Sequence, residues 1–226
     1  MSIGTERESS LHRVLKAEYA GERGELEVPC GEFVCDAVSG EGAVIEVQTG
    51  SFGPLVRKLK RLCAEREVRV IYPVIVVKHI EVYGLDGAFR YRRKSPRKGT
   101  EWDVFGALIH AVELTGLSRL SITLALVDVV ERRVDDGKGS WRRKGVSIQD
   151  KILRAQHGNV LLSCKKDYLR FVPFAQDDEW TARELAEKVK IPVRLAQKTT
   201  YVLVKMGIVV QTGKKGRARL YKIAWN

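Results

Sequence analysis

Three residues in one short stretch have the chemistry to hold a hard cation. In FVCDAVSGEGAVIEVQTG, residues 33–50, Asp36, Glu46 and Gln48 interrupt two apolar runs joined by a small polar turn. Residues two apart in a strand face the same way, so Glu46 and Gln48 share a face with Val44, while Ala43, Ile45 and Val47 take the other. Asp36 joins Glu46 only if the two pair across the hairpin, which leaves residues 39–43 as an odd-numbered loop or demands a bulge. Two carboxylates that close repel unless a cation lies between them. Mg²⁺ or Mn²⁺, taking oxygen ligands and keeping several waters, meets that need. The plainer alternative is a half-buried strand that alternates acids with aliphatics on a solvent face.

The elements that must position these residues can be read on either side. Residues 5–19, TERESSLHRVLKAEY, predict a helix, with Thr5 and Glu8 spaced as a capping box and Leu11, Val14 and Leu15 as its apolar stripe. A short strand is expected at 26–28, then the hairpin. SFGPLVRKLKRLCAE (51–65) predicts a second helix, apolar at Leu55, Val56, Leu59, Leu62 and Cys63 and basic at Arg57, Lys58, Lys60 and Arg61. VRVIYPVIVV (68–77) has the continuous apolar character of a strand buried on both faces. Helix then strand after a hairpin makes a crossover, so a parallel pair is expected. A turn at Leu85-Asp86-Gly87 leads into FRYRRKSPRKG (89–99), whose six basic residues belong to a further strand or, more plainly, a charged loop. Residues 101–115 read as a third helix capped by Thr100 or Asp103, and 120–134 as one more strand, giving the order α-β-β-β-α-β-β-α-β. DDGKGSWRRKG (135–145), rich in Gly and charge, reads as a linker.

This order, with Glu8 on a first helix and Asp36, Glu46 and Gln48 on a hairpin, resembles the PD-(D/E)XK nuclease superfamily. The resemblance covers residues 5–77 and extends to about residue 134. It implies an α/β, restriction-endonuclease-like mixed sheet flanked by helices, over residues 1–134. It also implies that Asp36, Glu46, the Val47 carbonyl and Glu8 ligate Mg²⁺ or Mn²⁺ and that Asp36, Glu46, Gln48 and Glu8 form the catalytic set. Position 48 departs from the usual lysine. An amide is no general base, although it can orient a water whose pKa a metal has lowered.

Charge sharpens the picture of the rest. Residues 1–140 hold 21 basic and 21 acidic side chains, whereas 141–226 hold 19 and 7, so the whole net charge of +12 lies in the C-terminal part. That asymmetry points to a polyanion-binding module. Within 146–226, the core at 177–226 resembles a winged helix-turn-helix domain, a smaller α+β unit. Thr181 caps a short helix, Pro192 opens a second that stops at Gly207, and two β-prone segments flank GKKGRA. Arg194, Gln197, Lys198, Tyr201 and Lys205 share one face of the second helix, suited to phosphates and base edges. Lys214, Lys215, Arg217 and Arg219 lie on the hairpin and would add phosphate contacts. Lys58, Arg61, Arg92, Arg93 and Lys94 are placed to grip the backbone on either side of a cut.

Several classes are disfavoured. The longest apolar run falls far short of the ~20 residues that span a bilayer, and no secretory h-region is visible, so a cytoplasmic protein with no membrane partner is expected. Cys30, Cys35, Cys63 and Cys164 have no zinc-ligand spacing and read as reduced thiols, and the four histidines look scattered. The arrangement of LH..LK, IE.QTG.F and RRKSP is similar to that of prokaryotic proteins without an assigned role. The expected function is a metal-dependent DNA endonuclease, with DNA ahead of RNA and a C2 homodimer suited to cutting both strands. The alternative is a non-catalytic DNA-binding regulator on a nuclease-like scaffold, which Gln48 favours.

Overall fold

The computed structural model describes residues 8–224. It has a mixed α/β architecture: one large mixed sheet flanked by helices, and a smaller separate sheet near the C-terminus. The large sheet runs β1 (Glu25–Cys30), β2 (Phe33–Val38), β3 (Val44–Val47), β4 (Val68–Tyr83), β6 (Leu120–Asp135), β7 (Val146–Leu162), and β5 (Phe89–Lys94) pairs with the outer half of β4. β3, β4 and β6 are parallel, and β1, β2, β5 and β7 join antiparallel. The parallel centre explains its apolar composition: β3 is buried at all four residues.

Helices cover both faces. α1 (Ser10–Ala20) sets Leu11 and Leu15 against Ile45, Val47, Ile71 and Val127. α2 (Val56–Glu65) is the crossover from β3 to β4, and it packs Leu59 and Leu62 on the opposite face with Val44, Val68 and Val70. α3 (Asp103–Leu108) brings Val104 and Phe105 to that same face.

Several expectations are corrected. Thr5 lies outside the described residues, and the N-cap of α1 is Ser9, whose hydroxyl accepts from the His12 amide. The first strand is longer than 26–28 and carries Pro29, which a sheet edge tolerates. The strand expected after the turn at 85–87 is β5, exposed at all six of its residues. The third helix breaks after Leu108 into a 3₁₀ turn at Val112–Gly116.

The segment 135–145 does not separate two domains. It is the connection between β6 and β7, and β7 pairs along nearly all of β6, from Ile122↔Leu162 to Asp135↔Val146. Gly and charge mark a hairpin loop as readily as a linker, and β7 escapes notice because its exposed edge carries so many polar side chains. The sheet therefore ends at Leu162. Up to residue 163 the chain holds 26 basic and 22 acidic residues, and from 164 onward 14 and 6, so the charge asymmetry is milder than a break at 140 implies.

Beyond β7, a 3₁₀ segment (Lys165–Phe171) leads to β8 (Trp180–Thr181), α4 (Ala182–Val189), α5 (Val193–Lys205), β9 (Val209–Lys215) and β10 (Ala218–Ile223). The small sheet has the order β8-β10-β9. Thr181 and Glu184 form the capping box that starts α4, and Gly207 follows α5 with φ +73°. This unit shares its core with the large sheet. Phe171 meets Phe105 at 4.8 Å and Trp102 at 5.4 Å, both edge-on, and the apolar cluster runs without interruption from Val70 to Leu203.

Candidate functional site

The β2–β3 hairpin brings its two acids together in the predicted register. Ala37 pairs with Ile45 and Val38 with Val44, so the next pair outward is Asp36 opposite Glu46, and residues 39–43 form the five-residue loop. The Glu46 carboxylate accepts from the Asp36 amide at 3.3 Å, and the Asp36 carboxylate accepts from the Val47 amide at 2.7 Å. Both acids thus sit where β3 ends, between α1 and α2.

Cations from both helices meet them. From α2, Lys58 places Nζ 2.6 Å from Glu46 Oε1 and donates to the Val34 carbonyl at 2.7 Å. From α1, His12 places Nε2 2.9 Å from the Val47 carbonyl oxygen and 3.3 Å from Asp36 Oδ2, while its Nδ1 lies 2.5 Å from Glu8. Lys16, one turn on and buried, pairs with Glu8 at 3.0 Å and also with Glu27. Glu27 has φ +53°, an unfavourable value for a side-chain-bearing residue, within β1, whose register with β2 is the same on both sides of it.

The electrostatics follow from burial and these pairs. Burial pushes Glu46 above the ordinary carboxylate range; Lys58 opposes the rise and the Asp36 charge adds to it. Burial works the same way on Asp36, but hydrogen bonds from His12 and the Val47 amide outweigh it and leave the carboxyl below its usual range. Burial would lower His12, yet Asp36 and Glu8 raise it to about 9. The imidazole is therefore an imidazolium at neutral pH, clasped between two carboxylates.

Two predicted roles are revised. Gln48 does not face the carboxylates: its amide donates to the Ser51 carbonyl at 2.5 Å and braces the turn into α2. The alternation used to place it stops where the strand stops, at Val47. Lys58 is not on a solvated phosphate-gripping face, because its side chain is only 15% exposed and lies on Glu46. Its neighbours Arg57 and Lys60 pair with Glu32 and Glu113, which leaves Arg61 as the cation of that row with no ion pair among the described residues. His12 was missed. Its signal is the Glu8–His12 spacing of four, which brings the two side chains together where the chain enters α1.

The donor set suits a hard divalent ion in chemistry: two carboxylates and a main-chain carbonyl. Each donor presently holds a protonated partner, Lys58 on Glu46 and His12 on Asp36 and Val47. No group of three or more His, Cys, Asp or Glu disposed around one point occurs among the described residues. An ion entering here would take over the charge compensation that His12 and Lys58 now provide.

The remaining predicted contacts divide by position. Arg92, Arg93 and Lys94 are on β5, whose partners in β4 lie about ten residues beyond Ile71, roughly 30 Å from the acids at strand rise. They do not flank the hairpin. On α5, Arg194, Gln197, Tyr201 and Lys205 are exposed and Lys198 is half-buried beside α3. Lys214, Lys215, Arg217 and Arg219 are exposed on the β9–β10 hairpin, Lys215 being paired with Glu184 at 3.2 Å. A groove of about 670 Å³ runs from Ser51, at the end of the Gln48 turn, past Arg97 and Lys98 to Lys190, Arg194 and Lys198. No helix among the described residues is long and apolar enough to cross a membrane.

Comparison with known proteins gives one family. The family described as "Domain of unknown function (DUF8091)" matches residues 9–163, which is the large sheet with its helices, from the first turn of α1 to just past β7. The chain belongs to that family. An uncharacterized protein of Treponema pallidum (strain Nichols) is 35% identical over 157 residues, 69% of this chain and 62% of that protein, so the match spans less than two thirds of that relative. No solved structure matches. The family's boundary agrees with the end of the sheet, and it places Glu8 just outside and His12, Asp36, Glu46 and Lys58 inside the shared region.

Proposed function

We propose that the protein is a metal-dependent DNA endonuclease of the PD-(D/E)XK type, hydrolysing phosphodiester bonds and guided by a winged helix-turn-helix unit at its C-terminus. The observation that carries this reading is the pairing of Asp36 and Glu46 across β2 and β3 beside the Val47 carbonyl, on a hairpin whose crossover helix leads to a central parallel strand. A divalent ion held by Asp36, Glu46 and Val47 would lower the pKa of a bound water and polarise the scissile phosphate. Lys58 contributes the positive charge that Gln48 lacks, close to Glu46. His12, held by Glu8, steadies Asp36 and is the proton-bearing group beside that acid. The basic groove from Ser51 to Arg194 supports a path for the polymer between this site and α5.

The test is a cleavage panel of linear, branched and single-stranded DNA, and RNA, with Mg²⁺ or Mn²⁺. Asp36→Ala and Glu46→Ala should each abolish cutting while DNA affinity stays within about twofold of wild type. A specific observation favours the second reading, a DNA-binding regulator on an inactive scaffold: Gln48 is turned away to Ser51 and both acids are already neutralised. Wild-type protein that binds DNA, cuts no substrate and takes up no divalent metal would decide for the regulator.

A further inference from the structure

The outer ends of β4, β5, β6 and β7 extend well past the helices, and they carry the most exposed aromatic side chains of the described chain. The β4–β5 turn and β5 present Leu85, Phe89 and Tyr91, and the β6–β7 loop presents Trp141, 82% exposed. Tyr83 pairs with Phe89 on one side and lies beside Val134 on the other, so the two hairpins end together. A cleft of about 440 Å³ lies between them, lined by Tyr83, Leu85, Arg132 and Gln149. Apolar side chains this exposed at one end of a molecule mark a contact surface.

Charge identifies the kind of partner. Residues 84–99 hold six basic side chains against one acid, and residues 137–145 hold four basic and no acidic ones. Arg93, Lys94, Arg142 and Lys144 form no ion pair among the described residues. Guanidinium groups already lie over rings here: Arg132 stands 5.9 Å from the Tyr83 centroid and Arg142 5.4 Å from that of Trp141. A protein partner or a second copy would favour an apolar patch with few charges at its centre. Alternating rings and free cations are instead what successive bases and phosphates of a single strand require.

We propose that the joined tips of the β4–β5 and β6–β7 hairpins form a second nucleic-acid contact, taking a single strand by stacking bases on Phe89, Tyr91 and Trp141 between arginine and lysine side chains. It lies roughly 40 Å along β4 from Asp36 and Glu46. The inference leans on the nuclease reading only for the identity of the polymer, and its test needs no cleavage.

Fluorescence anisotropy of a labelled twenty-nucleotide oligo(dT), measured on the full chain in EDTA, reads this surface directly. Trp141→Ala and the double variant Phe89→Ala/Tyr91→Ala should each weaken binding at least fivefold, as removal of one stacked base implies. Arg93→Ala/Lys94→Ala should lower the salt slope by about 0.7 for each phosphate no longer neutralised. Melting temperatures should not change, because these side chains are exposed. Wild-type affinity in both aromatic variants would overturn the proposal. So would a change in oligomeric state with oligonucleotide affinity untouched, which would assign the tip to a second copy of the chain. If no substrate is cut but the aromatic variants still bind more weakly, the nuclease reading falls and this contact stands.

Discussion

At the scale of single residues, the Lys58–Glu46 pair is where sequence logic and structure diverge most usefully. Glu46 is 3% exposed, so its charge depends on the ammonium 2.6 Å away. Removing one partner of a buried pair costs about 3–5 kcal/mol, and the partial exposure of Lys58 brings the expected loss for Lys58→Met to about 2–3 kcal/mol. Thermal or urea unfolding would measure it, and adding Glu46→Gln to Lys58→Met should recover most of the loss. Asp36 and Glu46 were legible in the sequence because strand alternation and an odd loop fix their common face. Gln48, His12 and Lys58 were not, since one lies past the strand end and two come from helices whose approach depends on tertiary packing.

At the scale of elements, α1 is tied to the far edge of the sheet by a residue 140 positions away. Asp150 on β7 accepts from the Ser10 amide at 2.8 Å and from its hydroxyl at 2.6 Å. Burial opposes ionisation, but these hydrogen bonds outweigh it and hold the carboxyl below its ordinary range. A depressed carboxylate contributes stability above its unfolded pKa of about 3.9 and loses it as pH falls through the folded value. Asp150→Asn should therefore cost roughly 1 kcal/mol at pH 7, as loss of a helix-start acceptor does. The difference from wild type should narrow as pH falls below the ordinary carboxylate range, which unfolding curves at pH 7 and at a series of acid pH values would check. The helices and central strands were predictable from periodicity and apolar runs. β7 was hidden because a polar edge strand that follows a Gly-rich, charged loop resembles the start of a separate unit until its partner is known.

At the scale of the whole molecule, the two units form one core. Phe171, Trp180, Leu185 and Leu203 belong to the same buried cluster as Val70, Phe105 and Leu124. Heating should therefore give a single cooperative transition, and limited proteolysis should not release residues 164–226 as a stable fragment. A chain ending at residue 163 should bind a hydrophobic dye strongly, where the full chain should not. For nucleic acid, replacing Lys198 or Arg217 should weaken duplex binding and reduce the salt slope by about one unit for each phosphate it had neutralised. Unchanged affinity in both would dismiss α5 and its hairpin as the duplex-reading surface. The composition break suggested two tethered bodies. It could not reveal a shared interior, because aliphatic and aromatic residues look alike whether they face their own unit or another.

The shared interior has a consequence for inheritance. The DUF8091 match stops at residue 163, yet Phe105 and Trp102 on its side of that limit pack against Phe171 beyond it. Kin that keep β4, β6 and α3 but differ after β7 inherit a bare apolar wall along with the hairpin acids. In this chain residues 164–224 roof that wall, so a relative that keeps the same wall would need some other cover for it.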